Sequence, residues 1–331
     1  MALGAAEKPR FSTLELLVSV ALSGVFLWFA FGDVDFERLS ERMKTLNLTF
    51  VIAALVATIG VQMLRAWRFV HLMNPLAPNG KAELLSIAHV GMFLIMFMPL
   101  RLGELARPYL LKRELEVPLS SGLGGAALER SLDGLCVALL FFVGTTFLGD
   151  AIEIPMLVRR AGWMTLVLFS SLLVVIVFSL KTQSQVEKII STFARLLPTA
   201  LEEKAFTIYR GVIDGFRTLP NFRSALTVIG ITVSVWLLNA LAFYSALLSF
   251  DWNLGFGAGL LLACILVIAI MIPAGPGFLG TYQAAMTLGL GLWGIGETDA
   301  AAYGLVVYPI SLIVVVGFGV FGFIRLSSHK D

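Results

Sequence analysis

The sequence of 331 residues contains few charged residues, few histidines and almost no cysteine. Asp, Glu, Lys and Arg together make up 14% of the chain, and there are three histidines and two cysteines. Cys136 and Cys264 lie inside apolar runs without a CxxC or Cys/His neighbour, so neither a disulfide framework nor a zinc site is indicated. The formal net charge is only +2. We therefore expect no metal, no other cofactor and no nucleic-acid partner.

Apolar residues dominate the composition. They make up 58% of the chain, and the mean hydropathy is +0.90. These values are typical of an integral membrane protein and exclude an ordinary soluble domain. A helix needs about 20 residues to cross a bilayer. The uninterrupted apolar runs lie at roughly 14–32, 51–69, 84–100, 132–149, 163–180, 225–249, 256–272, 281–293 and 303–324.

Two of these runs are interrupted by proline and glycine. The run 84–100 ends on Pro99, and the run 256–272 ends at Pro273, where the segment PAGPGFLG follows. Backbone that is freed by such breaks is tolerated at membrane depth only where protein buries it or water reaches it. We therefore expect an all-α membrane protein with about six full transmembrane helices and two re-entrant or broken helical elements that line a cavity.

The distribution of basic residues predicts an orientation. If the N-terminus is cytoplasmic and each broken element enters and leaves on one side, the cytoplasmic segments hold 19 of the 24 Lys and Arg residues. Loops rich in Lys and Arg remain in the cytoplasm. We expect a multi-pass protein of the cytoplasmic (inner) membrane with both termini in the cytoplasm.

The same topology divides the single transmembrane domain, residues 1–331, into two half-repeats. Residues 1–149 give the order span, span, broken element, span, and residues 163–324 repeat this order with every direction reversed. Paired broken segments in inverted halves are typical of alternating-access transporters. The segment 183–217 carries an apolar stripe and is expected to be a cytoplasmic interfacial amphipathic helix.

Six charged residues lie where two apolar segments meet the membrane boundary. They occur in RLGELAR, directly after the run that ends at residue 100, and in ERSLD, directly before the next run. Ionisable residues at membrane depth are costly and mark a site by default. Three arginines offer guanidinium forks to a phosphate, and three carboxylates can neutralise them. The six candidate substrate-binding residues are Arg101, Glu104, Arg107, Glu129, Arg130 and Asp133.

The spacing of these residues suggests how they pair. Glu104 lies three residues from Arg101 and from Arg107, so at helical spacing it can pair with either arginine. Glu129 and Asp133 are an i, i+4 pair that needs a cation, which Arg130 or an arginine of the first motif would supply. Two other readings stay open: the arginines are cytoplasmic anchors, or the whole set is a structural salt-bridge network.

The basic residues of the second span have a simpler explanation. Arg65 and Arg68 lie near the end of the apolar run 51–69. Arginine side chains in this position commonly extend to the membrane interface. We therefore expect both of them to snorkel.

Glycines follow the second break, and their backbone N–H groups could bind an anion, as helix starts do. They are Gly275, Gly277 and Gly280.

Together with PLRLGELARPYLL, ALERSLDGL and QMLRAWRFVHLM, the segment IPAGPGFLGTYQAA resembles the transmembrane flippase-like domain of the lysylphosphatidylglycerol synthase/flippase family. The resemblance covers about residues 12–325 and implies movement of a lipid between leaflets.

The resemblance carries one departure and one expected absence. Relatives tend to have PGGxGxxE after the second break, whereas this chain has Phe278 and Gln283 at the second Gly and the Glu. Gln283 can still donate and accept hydrogen bonds, so it is kept as a candidate substrate-binding residue. Two-domain members carry a soluble aminoacyltransferase domain after the membrane part. Only six residues follow Arg325, so no such domain is expected here.

Three functions remain open at this point. The first is a flippase that carries a membrane lipid, such as an anionic phospholipid, an aminoacyl lipid or a polyprenyl phosphate lipid. The second is a membrane-embedded enzyme on a lipid-linked substrate, with Glu104, Glu129 or Asp133 as a base or metal ligand. The third is an accessory subunit for a lipid-modifying enzyme. Because no recognisable catalytic constellation is present and equal numbers of arginines neutralise the carboxylates, we favour transport over an enzyme.

Overall fold

The computed structural model describes residues 34–98, 103–148, 154–185, 188, 199–219, 221–270 and 276–328. The regular structure in these ranges is helical, with no strand. Their α-helices are α1 Phe36–Lys44, α2 Leu48–Met73, α3 Lys81–Phe97, α4 Ala106–Leu115, α5 Leu119–Leu148, α6 Met156–Lys181, α7 Thr199–Phe216, α8 Phe222–Ser249, α9 Phe256–Ile270, α10 Leu279–Gly291 and α11 Glu297–Ser328.

Short polar side chains fix the starts of three helices. Asp35 accepts hydrogen bonds from the first backbone N–H groups of α1, and Asn47 and Asn221 do the same for α2 and α8. Such N-caps satisfy amide groups that have no partner inside the helix. The apolar runs that follow then continue as uninterrupted helices.

The expectation of a helical membrane protein is confirmed. Four helices are long and apolar enough to cross a bilayer: α2, most of α6 (Val158–Lys181), α8 and α11, and α9 is a shorter apolar helix. Helix α5 is 30 residues long and therefore spans about 45 Å, although charged residues interrupt its apolar sequence. The predicted span 14–32 lies outside the described residues, so the total of about six spans stays a prediction.

Helices α2 and α8 form the central pair. They run antiparallel, because Arg68 near the end of α2 contacts Thr232 of α8, and His71 one turn later contacts Ser224 near the start of α8. Gly60 allows close packing, since a Cβ atom at this position would meet the side chain of Leu238 at 2.7 Å. Helices α3, α5, α9 and α11 pack against this pair.

Helices α1–α5 and helices α7–α11 have matching sets of neighbours. Helix α3 packs against α2, α4 and α11, and α9 packs against α8, α10 and α5. Helix α4 packs against α5, as α10 packs against α11. Helix α1 packs against α11, and α7 packs against α5. Each pairing is therefore reproduced when α1–α5 are exchanged with α7–α11.

Both predicted breaks separate two helices. The first lies between α3 and α4; a Cβ atom at Gly103 would meet the backbone of Leu94 and Ile95, so this position requires glycine. After the second break, Pro276–Phe278 form a 3₁₀ turn with Gly277 at φ 77° and Phe278 at φ 55°. This turn contacts α3. Pro99, Pro273 and Gly275 lie outside the described residues.

Helix α7 covers the second part of the segment 183–217 and packs closely against α5. A Cβ atom at Gly215 would meet the carbonyl oxygen of Ser121, and one at Gly211 would meet the side chain of Ser120. This part of the segment is therefore in contact with the helix bundle. Most residues of the predicted apolar stripe lie outside the described ranges.

Candidate functional site

The centre of the site is a buried guanidinium on α2. Arg68 donates two parallel hydrogen bonds to the carboxylate of Asp133, at 2.5 and 2.8 Å, and a third to Glu129 at 2.8 Å. Its fourth bond, 3.0 Å long, goes to the hydroxyl of Thr232 on α8. The side chain of Arg68 is 1% exposed. Bidentate pairs of this kind are the strong hydrogen bonds of proteins.

The two carboxylates face Arg68 because they lie four residues apart, one turn along α5. Each has a further donor. Arg107 of α4 donates to Glu129 at 3.1 Å, and the indole N–H of Trp236 on α8 donates to Asp133 at 3.1 Å. The polar atoms of both carboxylates are thus held by groups from three different helices.

The side chain of Arg107 passes between Phe69 and Gly91 to reach Glu129. Its guanidinium carbon lies 5.0 Å from the centre of the Phe69 ring, and a Cβ atom at Gly91 would collide with the Arg107 side chain. The absence of a side chain at Gly91 therefore makes room for a buried arginine between α3 and α5. Stacking on the aromatic ring offsets part of the loss of hydration.

Arg130 forms the exposed edge of the cluster. Its guanidinium nitrogens lie 3.5 Å from Asp133, 3.6 Å from Glu129 and 3.9 Å from Glu104. These separations are ion-pair distances rather than hydrogen bonds. The side chains of Arg130 and Glu104 are 41% and 30% exposed. Among the described residues, Arg130 therefore has no hydrogen-bond partner, and its donors remain available at an accessible edge.

The cluster is electrically balanced. Three arginines (Arg68, Arg107 and Arg130) face three carboxylates (Glu104, Glu129 and Asp133). A further arginine, Arg65, lies 5.6 Å from the ring of Trp236, which itself donates to Asp133. Because the opposite charges are equal in number, each described charge of the cluster has a partner of opposite sign. The neighbouring Arg65 and the free donors of Arg130 favour a phosphate or another anion over a cation.

A comparison with known families identifies the family of the chain. Residues 16–319 match the sequence model of the family described as the lysylphosphatidylglycerol synthase TM region. The chain belongs to this family. As a member of the lysylphosphatidylglycerol synthase TM region family it is a transmembrane protein, and its buried Arg/Glu/Asp cluster lies within the matched region. The matched region is a transmembrane region and is not by itself an aminoacyltransferase domain.

One relative is the UPF0104 membrane protein MJ1078 of Methanocaldococcus jannaschii. It is 27% identical to the chain over 232 residues, which are 69% of the chain and 92% of the relative. The match therefore covers nearly the whole archaeal protein.

The structure brings together most of the charged residues that the sequence singled out. Glu104, Arg107, Glu129, Arg130 and Asp133 form one connected cluster. Arg101 lies outside the described residues. The expectation that the Glu129 and Asp133 pair needs a cation is confirmed, and three arginines supply it.

Two details of the expected pairing are wrong. Arg68 does not snorkel to the interface; it is buried at the centre of the cluster. Of the described arginines, Glu104 is paired with Arg130 rather than with Arg107. The reason is that α4 begins only at Ala106, so Glu104 and Arg107 do not share an α-helix with the assumed spacing.

The candidates near the second break lie in the other half of the molecule. The carbonyl of Gly277 accepts a hydrogen bond from the hydroxyl of Tyr308, Gly280 lies in the first turn of α10, and Gln283 is 2% exposed with its carboxamide against Gly304. No hydrogen bond or ion pair joins Gln283 to the charged cluster among the described residues. Gly275 lies outside them.

Sequence reasoning missed three members of the site, Arg68, Thr232 and Trp236. Only Arg68 could have been recognised. Helix α2 extends to Met73, so Arg68 lies five residues before the end of the helix and not at the end itself. The other two lie 164 and 103 residues from their partners. Only the pairing of α2, α5 and α8 brings them to the cluster.

Proposed function

We propose that the protein is a lipid flippase that moves a phosphate-bearing lipid between the two leaflets of the membrane. The observation that carries this proposal is the state of Arg130. Its guanidinium lies at the exposed edge of a buried, charge-balanced network, and its donors make no hydrogen bond to another described residue. A guanidinium of this kind is suited to two parallel hydrogen bonds with a phosphate.

The network explains how such an arginine is kept at membrane depth. An unpaired arginine inside a bilayer is costly, whereas the carboxylates of Glu129 and Asp133 lower this cost for Arg130 when the site is empty. An incoming phosphate then takes the donors of Arg130, while Arg68 and Arg107 keep both carboxylates neutralised. The lipid tails remain in the hydrocarbon, and only the head enters the polar site.

The two halves support an alternating mechanism. Exchanging α1–α5 with α7–α11 reproduces the described helix contacts, which supports the inverted repeat of residues 1–149 and 163–324. It also supports a re-entrant role for the paired elements α3 with α4 and α9 with α10. In this mechanism the cavity between the halves opens to each leaflet in turn.

The second half offers neutral polar groups to a lipid head. The side-chain oxygens of Thr281, Gln283 and Thr287 on α10 are buried and lack a hydrogen-bond partner among the described residues. Unpaired buried oxygens are unfavourable unless a ligand satisfies them. We propose that these groups, with the backbone of Gly275, Gly277 and Gly280, contact the headgroup in one of the two states. Arg101 would join Arg130 on the opposite side.

We place the protein in the cytoplasmic membrane with both termini in the cytoplasm. This orientation assigns Lys81 of α3 and Arg223 of α8 to the cytoplasmic side, so it requires them to lie at the same end of the helix bundle. Both residues line one cavity, which supports the orientation. The transported lipid would be an anionic phospholipid, an aminoacyl lipid or a polyprenyl phosphate lipid, and a lipid-modifying enzyme would be a natural partner. Single cysteines introduced at 185–215 should be labelled only from the cytoplasmic side.

The proposal is tested with purified protein in liposomes that contain a trace of fluorescent phosphatidylglycerol, aminoacyl phosphatidylglycerol or polyprenyl phosphate. A membrane-impermeant reagent removes the fluorescence of labelled lipid in the outer leaflet. Movement of labelled lipid from the inner to the outer leaflet then appears as a further loss of fluorescence. At least one of these lipids should move faster than in empty vesicles. Arg130→Gln should slow it about tenfold or more, because a charge-assisted bond to phosphate is lost.

Two controls make the result specific. Arg160→Gln removes an equivalent exposed charge at the start of α6 and should leave the rate unchanged. Arg130→Gln should fold, because Arg130 makes no hydrogen bond within the described chain. Equal rates with and without protein for every lipid would overturn the proposal. Chemical conversion of a lipid-linked substrate in detergent, where no leaflets exist, would favour an enzyme instead.

A further inference from the structure

A second polar cavity lies on the outside of the helix pair α2 and α8. Its volume is about 590 Å³, and it is bounded by the end of α2, the start of α3 and the start of α8. Trp67, His71 and Asn74 line it from α2 and the residue after it. The proposed transport mechanism assigns no lipid to this cavity, and no residue of the charged cluster lines it.

The lining is cationic. Lys81 and Arg223 are both exposed, and neither side chain forms an ion pair or hydrogen bond with another described residue. No carboxylate is among the described residues that line the cavity. Two uncompensated positive charges at one concave site attract an anion, and the attraction is strongest beside a membrane surface, where anionic headgroups are concentrated.

Two helix starts border the same cavity. Helix α3 begins at Lys81 and has no side-chain cap, whereas the start of α8, directly before Arg223, is capped at one N–H group by the side chain of Asn221. The first turns of helices carry free N–H groups and a partial positive charge. These ends add to the two cationic side chains and favour a phosphate.

The cavity also contains an acceptor without a partner and an aromatic ring. The side-chain oxygen of Asn74 is buried and makes no hydrogen bond to the described residues. A hydroxyl group on a lipid head would satisfy it. Trp67 is 56% exposed, and exposed tryptophans are enriched at the level of the headgroups. A hydrogen bond of 3.1 Å between the side chains of His71 and Ser224, which both line the cavity, joins α2 to α8.

We propose that this cavity binds the headgroup of a hydroxyl-bearing anionic phospholipid, of the phosphatidylglycerol type, as a resident lipid. Its phosphate lies between Lys81, Arg223 and the two helix starts, its hydroxyl groups reach Asn74, and its tails pass Trp67 into the bilayer. The bound lipid thereby joins α2, α3 and α8 at one membrane surface. This site does not depend on the transport activity.

The test is native mass spectrometry of the purified protein titrated with phosphatidylglycerol or phosphatidylcholine. The wild type should retain one phosphatidylglycerol more tightly than any phosphatidylcholine. The double variant Lys81→Gln/Arg223→Gln should bind it at least about tenfold more weakly, because each basic residue near an anionic surface contributes to binding. Lys112→Gln, which removes one exposed positive charge from α4, should bind like the wild type.

The outcomes separate this site from the transport site. Unchanged binding by the double variant, or equal retention of phosphatidylcholine, would overturn the proposal. Loss of the bound lipid in Arg130→Gln but not in the double variant would assign that lipid to the charged cluster and would also overturn it. Displacement of the lipid by millimolar inorganic phosphate would identify the ligand as free phosphate. Transport rates need not be known for any of these results.

Discussion

Replacement of Arg68 by methionine is expected to destabilise the protein more than any other single change in the charged cluster. Arg68 makes four hydrogen bonds, three of them to carboxylates, and is almost completely buried. Methionine fills much of the same volume but supplies no donor. The described cluster would then hold two arginines and three carboxylates, so the buried Asp133 would keep only the partly exposed Arg130, 3.5 Å away, as a cationic partner.

The magnitude follows from this imbalance. Removing one partner of a buried ion pair costs about 3–5 kcal/mol, because the remaining charge stays in a medium that cannot hydrate it. Asp133 would keep Trp236 as a donor, and Glu129 would keep Arg107, so the loss should lie within that range rather than above it. Arg130→Gln should cost no more than about 1 kcal/mol, because Arg130 is partly exposed.

Unfolding can be followed through a buried thiol. Cys264 is 1% exposed, so a thiol-reactive fluorogenic dye will react with it only when the helices separate. In detergent micelles, Arg68→Met should unfold at a clearly lower temperature than the wild type and Arg130→Gln. The double variant Arg68→Met/Asp133→Leu restores the charge balance, so its loss should be smaller than the sum of the single losses by about 0.5–3 kcal/mol.

Two results would refute this reasoning. The first is an Arg68→Met variant that unfolds at the temperature of the wild type. The second is a double variant whose loss equals or exceeds the sum of the two single losses. Either result would mean that Arg68 and Asp133 do not stabilise one another in the folded protein.

Three further predictions concern other parts of the chain. Gly215→Leu should lower the unfolding temperature, because even a Cβ atom there would meet the backbone of α5, while Gly230→Leu, which has open space around it, should not. Gln283→Met should slow lipid movement and leave stability within about 1 kcal/mol of the wild type, since its oxygen has no partner to lose; a large loss of stability would contradict the binding role. Asp299→Asn should cost about 1 kcal/mol through weaker contacts with two arginines of α1, and this cost should shrink at high salt; a cost independent of salt would argue against an ionic origin.

Much of the helical framework could be predicted from the sequence, because apolar runs and proline or glycine breaks are local signals. The helices α2, α8 and α11 lie where the apolar runs predicted them, and both breaks separate helices. The i, i+4 spacing of Glu129 and Asp133 also indicated correctly that one cation would face both. These features depend only on residues that are close together in the chain.

The pairing within the cluster could not be predicted in the same way. Arg68 was assigned to the interface because it lies at the end of an apolar run, but α2 continues for five more residues and turns its guanidinium toward α5. Glu104 was paired by helical spacing, yet the α-helix starts after it. Both errors arise because a helix boundary and a neighbouring helix decide where a long side chain can reach.

The ion pairs and the uncharged hydrogen bonds around Arg68 join different helices, and this affects how α8 can move relative to the cluster. Every ion pair of the cluster joins residues of α2, α4, α5 and the turn before α4, all in the first half of the chain. The hydrogen bonds that cross to α8 involve only the uncharged side chains of Thr232 and Trp236. Bonds of this type contribute about 1.5–3 kcal/mol each. A displacement of α8 relative to the charged cluster would therefore break these two hydrogen bonds but none of the ion pairs among the described residues.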